Sequence, residues 1–164
     1  MKIEIKNLEA AYEDRVIIPC ANVTIPEGKI TMMIGPNGCG KSTLLKSIAR
    51  ILPAKKGEIL LDRTNIKKLS QKSIAQKMAV LPQTPLVPEG ITVKDLVAYG
   101  RFPYQKPFSG LKKADHEIIE WAMQRTGVYE LKDRKVEELS GGQRQRVWIS
   151  LTLAQKTDIL ILDE

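Results

Sequence analysis

The segment Gly35-Pro36-Asn37-Gly38-Cys39-Gly40-Lys41-Ser42 restricts the folds open to this chain more than any other. It matches the pattern G-x-x-x-x-G-K-[ST], and its flanks suit that pattern. Before it, Ile30-Thr31-Met32-Met33-Ile34 is a nearly continuous apolar run, expected as a short strand buried on both faces. After it, Lys41 to Leu52 places Leu44, Leu45, Ile48 and Leu52 at helical spacing. A strand, a glycine turn and a helix in that order make a phosphate cradle. The glycines let backbone N–H groups face inward, and the helix aims its positive end at the anion. Gly35, Pro36, Asn37, Gly38, Cys39, Gly40, Lys41, Ser42 and Thr43 are the candidate nucleotide contacts. Lys41 offers a mobile charge for the β- and γ-phosphates, and Ser42 a hydroxyl for Mg²⁺.

A second acidic element suits the same chemistry. Ile159-Leu160-Ile161-Leu162 is an apolar strand that runs into Asp163-Glu164. Laid beside the strand at 30–34, its carboxyl end would meet the phosphates, where ligands bind in such sheets. Asp163 is the candidate Mg²⁺ carboxylate and Glu164 the candidate general base that polarises the attacking water.

A third segment, Leu139-Ser140-Gly141-Gly142-Gln143, offers another anion site. Ser140 and two glycines before a helix present a hydroxyl, exposed N–H groups and a helix N-terminus. One nucleotide does not need two cradles from distant stretches of one chain. Two chains facing head-to-tail do, each cradle closing on the partner's γ-phosphate.

The rest of the chain arranges itself around these sites. Ile3 and Ile5 alternate with Lys2, Glu4 and Lys6, and Ala21, Val23 and Ile25 alternate likewise, ending at the turn Pro26-Glu27-Gly28. This opening reads as an antiparallel β layer. Further strands are expected at 58–61 and 78–81, and helices at 92–99, 114–126 and 142–155, with Ile118, Ile119, Ala122 and Met123 on one buried face. Residues 101–113, rich in Gly, Pro and Lys, read as a loop. The plan is an α/β nucleotide-binding domain with a helical subdomain inserted at about 84–156.

Composition adds limits. Lys and Arg outnumber Asp and Glu by 26 to 19, a net charge of +7 that favours anionic partners without selecting one. No apolar run approaches the roughly 20 residues of a membrane-spanning helix, and the charged, alternating N-terminus lacks the apolar core of a signal peptide. Cys20 and Cys39 have no metal-ligand spacing and read as small buried or spacer residues. The lone His116, among Asp115, Glu117 and Glu120, reads as solvated surface.

With these segments in hand, the sequence resembles the ABC ATPase family over its whole length. Leu139-Ser140-Gly141-Gly142-Gln143 matches the family's signature, and 35–42 and 159–164 match its two nucleotide motifs. The resemblance implies a P-loop NTPase fold, ATP and Mg²⁺ as cofactors, and Ser140, Gly141, Gly142 and Gln143 as contacts to nucleotide. It implies that Gln83, in Val80-Leu81-Pro82-Gln83, touches Mg²⁺ or the attacking water and senses a membrane partner. It implies that Tyr12 stacks on adenine. A narrower likeness, carried by Tyr99-Gly100-Arg101-Phe102-Pro103-Tyr104 and by 142–148 with Leu153-Ala154-Gln155, is to ATPases of iron–siderophore, haem and cobalamin importers. The Gly-Arg-aromatic-Pro segment falls where that family faces its permease.

The partners so implied are membrane permease subunits, a second ATPase subunit in a head-to-tail homodimer, and an external solute-binding protein, with no nucleic acid. The location implied is peripheral, on the cytoplasmic face of the cell membrane. A non-transport ABC ATPase acting on ribosomes or DNA is the alternative. Family members continue past the Asp-Glu pair to a switch histidine, and His116 lies too early for that role. A single domain incomplete at its C-terminus is therefore expected, one that turns over ATP poorly by itself.

Overall fold

The computed structural model of the chain describes residues 1–83, 87–106 and 109–163. They fall into two compact units, 1–74 and 75–164.

The first unit is built on an antiparallel sheet. Strand β1 (Ile3–Tyr12) pairs with β2 (Arg15–Ile25) on one side and β3 (Lys56–Leu61) on the other, and β3 carries the short β4 (Thr64–Asn65). Ile3 and Ile5 point into the core, and so do Leu8 and Ala10, a phase that strict alternation would not give. A bulge supplies the odd residue: both ladders shift register across Lys6–Asn7, where Asn7 turns to φ 48°. Gly57 lies against this bulge, and a Cβ there would stand 2.3 Å from the Asn7 carbonyl oxygen. Helix α1 (Lys41–Ile48) packs on the sheet through Thr43, Ser47 and Ile48, one helical face. It ends earlier than the apolar spacing to Leu52 predicts, because Arg50 takes φ 55°, which no helix tolerates.

Helix α2 (Gln71–Lys77), a segment too polar to stand out in the sequence, leads into the second unit. There β5 (Met78–Leu81) and β6 (Ile159–Leu162) pair in parallel, Met78 with Ile159 through Leu81 with Leu162. Helices α3 (Val93–Ala98), α4 (Lys113–Arg125) and α5 (Gly141–Ala154) share one core of Val93, Leu96, Val97, Ile119, Ala122, Met123 and Val147. The face expected of α4 is the one it buries. Among the described residues no helix is long and apolar enough to cross a membrane.

Several expectations are corrected. Residues 30–34 form no strand, and Ile30, Met32 and Ile34 are 99%, 77% and 88% exposed. A both-faces-buried strand exists only between partner strands that satisfy its backbone groups, and among the described residues β6 pairs with β5 instead. The Gly/Pro-rich stretch at 101–113 is not all loop: Tyr99–Tyr104 forms a 3₁₀ helix and α4 begins at Lys113. Cys20 and Cys39 are both exposed free thiols, so Cys20 is not a packing residue. His116 is exposed, as expected.

Candidate functional site

The candidate phosphate loop, 35–42, leads into α1 but lacks the expected strand before it. Gly40 precedes α1 at φ 97°, a left-handed conformation, and a Cβ there would press on Ile17 Cγ2 and Ile18 Cγ1 at 3.3 Å each. With Gly at this position, no side chain caps α1. The first backbone bond of the helix is Leu44 N–H to the Gly40 carbonyl at 2.9 Å, so the N–H groups before it lie outside the helical ladder, the condition for holding an anion. The Lys41 ammonium folds back across the loop, donating to the Gly35 carbonyl at 2.7 Å and the Pro36 carbonyl at 2.8 Å, with Cys39 Sγ at 3.8 Å. Ser42 and Thr43 follow on the first turn, with Thr43 buried.

Tyr12 ends β1 at a tight turn to Arg15 and leaves its ring 43% exposed. Lys46 Nζ of α1 stands 6.0 Å from the ring centroid. The aromatic and the helix that starts at the phosphate loop thus share one side of the sheet, and Lys46 is a contact sequence reading did not single out.

In the second unit, Ser140 takes extended backbone and caps α5. Its Oγ accepts from Gln143 N–H at 3.3 Å, and Gln143 Oε1 accepts from Ser140 N–H at 3.0 Å. Among the described residues the Ser140 hydroxyl donates to no acceptor. Gly141 and Gly142 are exposed, and a Cβ on either would meet nothing within 4 Å. The fold of the chain therefore does not demand glycine at these positions.

Asp163 continues β6, its N–H held by the Leu81 carbonyl at 3.0 Å, and Gln83 leaves the adjacent β5 exposed at the same end of the pair. The structure brings these two candidates to one edge. Glu164, the candidate base, lies outside the described residues. Among the described residues no cluster of three or more His, Cys, Asp or Glu could hold a metal. The candidate donors, the Ser42 hydroxyl, the Gln83 amide and the Asp163 carboxylate, are all hard oxygen ligands. That set fits Mg²⁺, which keeps several waters and takes few protein ligands.

Arg101 is where sequence reading misleads most. It falls in a segment that reads as loop, yet it is 6% exposed and its guanidinium donates to Asp115 Oδ1 at 2.8 Å and to the Ala154 carbonyl at 2.9 Å. Its plane lies over Tyr104, 4.1 Å from the centroid. Its neighbours face outward: Tyr99 and Phe102 stack at 4.6 Å between centroids and are both exposed.

Gly40 before α1, the Ser140 cap of α5 and Asp163 just after β6 all lie in the stretch that one family profile spans. The profile of the ABC transporter family matches residues 20–164, and the chain belongs to that family. It is 54% identical over 159 residues to the iron(3+)-hydroxamate import ATP-binding protein FhuC of Bacillus subtilis and 43% identical to the ferric enterobactin transport ATP-binding protein FepC of Escherichia coli. Each match covers 97% of this chain and 59% of the relative, so the chain spans about three fifths of their length. Among solved structures it is similar to an inward-facing putative metal-chelate type ABC transporter, at TM-score 0.82 and 28% identity over 99% of this chain and 59% of that one.

Proposed function

We propose that this chain is part of the ATP-binding and ATP-hydrolysing subunit of an importer for iron–siderophore complexes. The observation that carries the nucleotide reading is the α1 N-terminus: introduced by a left-handed Gly40, which brings no capping side chain, and spanned by the Lys41 ammonium. The names of the relatives support iron–siderophore import over a role on ribosomes or DNA.

On this reading Lys41 exchanges its two carbonyl contacts for phosphate oxygens, and the N–H groups of the loop surround the same phosphate. Tyr12 stacks on the base. Ser42, Asp163 and Gln83 would hold Mg²⁺, which would supply charge neutralisation at the phosphates. Glu164 orients the attacking water. Ser140, Gly141, Gly142 and Gln143 close on the γ-phosphate of a second, head-to-tail subunit. Catalysis of this kind is mostly positioning plus electrostatics. The exposed, stacked Tyr99–Phe102 pair is the surface offered to a membrane permease; on this reading the protein sits peripherally on the cytoplasmic face, with the external solute-binding protein on the far side of the membrane.

The test is uptake. Cells lacking the gene should lose accumulation of a ferric hydroxamate and regain it with the wild-type gene but not with Lys41→Ala. Unchanged uptake in the deletion, together with recovery of ribosomes rather than a permease on purification, defeats the import reading.

A further inference from the structure

We propose that Arg144 is a positioning residue for the anion loop at 140–142: its guanidinium braces the backbone that leads into the loop and lends the loop a positive charge it otherwise lacks. The inference rests on the reading of 140–142 as a phosphate site.

Leu139-Ser140-Gly141-Gly142-Gln143 contains no ionisable side chain. By itself it meets an anion with N–H dipoles and one hydroxyl only. Arg144 follows on the first turn of α5 and holds the loop at two points. Its backbone N–H donates to the Ser140 carbonyl at 2.9 Å, and its Nη2 reaches back to the Leu139 carbonyl at 3.2 Å and the Glu137 carbonyl at 3.4 Å. The two side-chain contacts lie just before Ser140, so the side chain steadies the backbone from which the hydroxyl and the following N–H groups project.

The charge is not spent in doing so. Among the described residues the guanidinium is bonded to neutral carbonyls, not to a carboxylate, and its Nε is shut off from solvent without a hydrogen-bond partner. A buried donor left unsatisfied is rare and signals strain or function. Here a half-buried guanidinium carries its positive charge within one helical turn of Ser140, where it adds to the dipole of α5. Both side-chain contacts are made by the one nitrogen Nη2, so a lysine ammonium, which also carries several donors on one nitrogen, keeps both the charge and a means of bracing the loop.

The experiment compares Arg144→Gln, Arg144→Lys and Ser140→Glu in the full-length protein, measuring kcat and KM for ATP, binding of a fluorescent ATP analogue, and thermal melting. Arg144→Gln is expected to lower kcat about tenfold while leaving KM and analogue binding within about twofold, because each protomer's own phosphate loop is untouched. Arg144→Lys is expected to return kcat to within about threefold of wild type. An unchanged kcat in Arg144→Gln overturns the inference, as does a lysine variant no better than glutamine with both melting early. If Arg144→Gln does not fold, Arg144→Lys decides alone, and a loss of about tenfold or more there is also fatal. Ser140→Glu separates the layers. Full turnover in that variant sinks the phosphate reading itself, whereas lost turnover there beside a normal Arg144→Gln sinks only the role given to Arg144.

Discussion

Arg101 and Asp115 form a buried ion pair, Nε to Oδ1 at 2.8 Å, that ties the 3₁₀ helix at 99–104 to the first turn of α4. The same carboxylate accepts from Lys112 N–H at 2.9 Å, closing the helix cap, and the same guanidinium reaches the Ala154 carbonyl where α5 ends. One charge pair thus joins three elements. Replacing Arg101 with Ala leaves a shielded carboxylate without its counter-charge, and the expected loss is about 2–3 kcal/mol, at the low end for such pairs because Asp115 keeps the Lys112 N–H. Thermal melting should fall by several degrees, and a melting point unchanged within error refutes the assignment.

The pair also fixes an acid limb. Burial alone would raise the Asp115 carboxyl, but the Lys112 N–H and the Arg101 guanidinium outweigh it and hold it below its ordinary 3.8. A folded value below the unfolded one means stability that is fully present above the unfolded value and is lost as pH falls through the folded one. Stability from this group should therefore hold steady from neutrality down to about pH 4 and decline below it. Asp115→Asn should flatten that part of the profile, read by melting between neutral and strongly acid pH. An identical acid limb in the variant would place the titrating group elsewhere.

Arg101 also marks where the sequence stops being legible. Arg and Asp fourteen positions apart carry no periodic signal, and a Pro-bearing stretch between them reads as loop. The pair can be seen only once α4 and α5 are packed. Elements whose cause is local were readable: β5 and β6 from apolar runs of strand length, α4 from its buried stripe, α5 from Ser140 and Gln143 at capping-box spacing. Residues 30–34 fail for the opposite reason. Their pattern states how they can be buried, not whether a partner strand is at hand, and here Ile30, Met32 and Ile34 are bare. At the site, the phosphate loop and the helix cap were legible because their glycines and hydroxyls act through their own backbone. Arg144 was not, because its role comes from the fold of 137–139 beneath it.

The bulge in β1 makes a sharper test of backbone geometry. Gly57 sits at φ 79°, and any Cβ there would lie 2.3 Å from the Asn7 carbonyl oxygen, a backbone atom that cannot swing away. Gly57→Ala should cost at least about 2 kcal/mol from the strained conformation and the collision together. Gly28→Ala has a similar φ of 66° but open space, and should cost less. Equal chemical-denaturation midpoints for the two variants would mean that contact with the bulge is unimportant.

At the candidate phosphate loop, removing the Lys41 ammonium deletes a flexible cation that reaches both the Gly35 and Pro36 carbonyls. A charge-assisted contact of this kind is worth about 1.5–3 kcal/mol. Lys41→Ala should weaken ATP binding by about 10- to 100-fold, measured by calorimetry, with melting of the nucleotide-free protein little changed. Unaltered affinity would remove Lys41 from the site.

Gly141 and Gly142 permit a prediction in which stability and activity move in opposite directions. Both lie at the start of α5, exposed, at ordinary helical φ, with no atom within 4 Å of where a Cβ would go. Glycine in a helix costs up to about 0.5–1 kcal/mol relative to alanine. Nothing in the fold of the chain requires that cost. If the space above these residues exists for the γ-phosphate of a second subunit, Gly142→Ala should melt slightly higher than wild type, by up to about that amount, and yet hydrolyse ATP at least about tenfold more slowly, since a methyl group then stands where phosphate oxygens must approach the N–H groups. Binding of ATP to the isolated protomer should be unaffected, because that step uses the phosphate loop at 35–42. A variant that is both more stable and fully active would mean that nothing approaches this end of α5, and the head-to-tail arrangement would lose its physical basis.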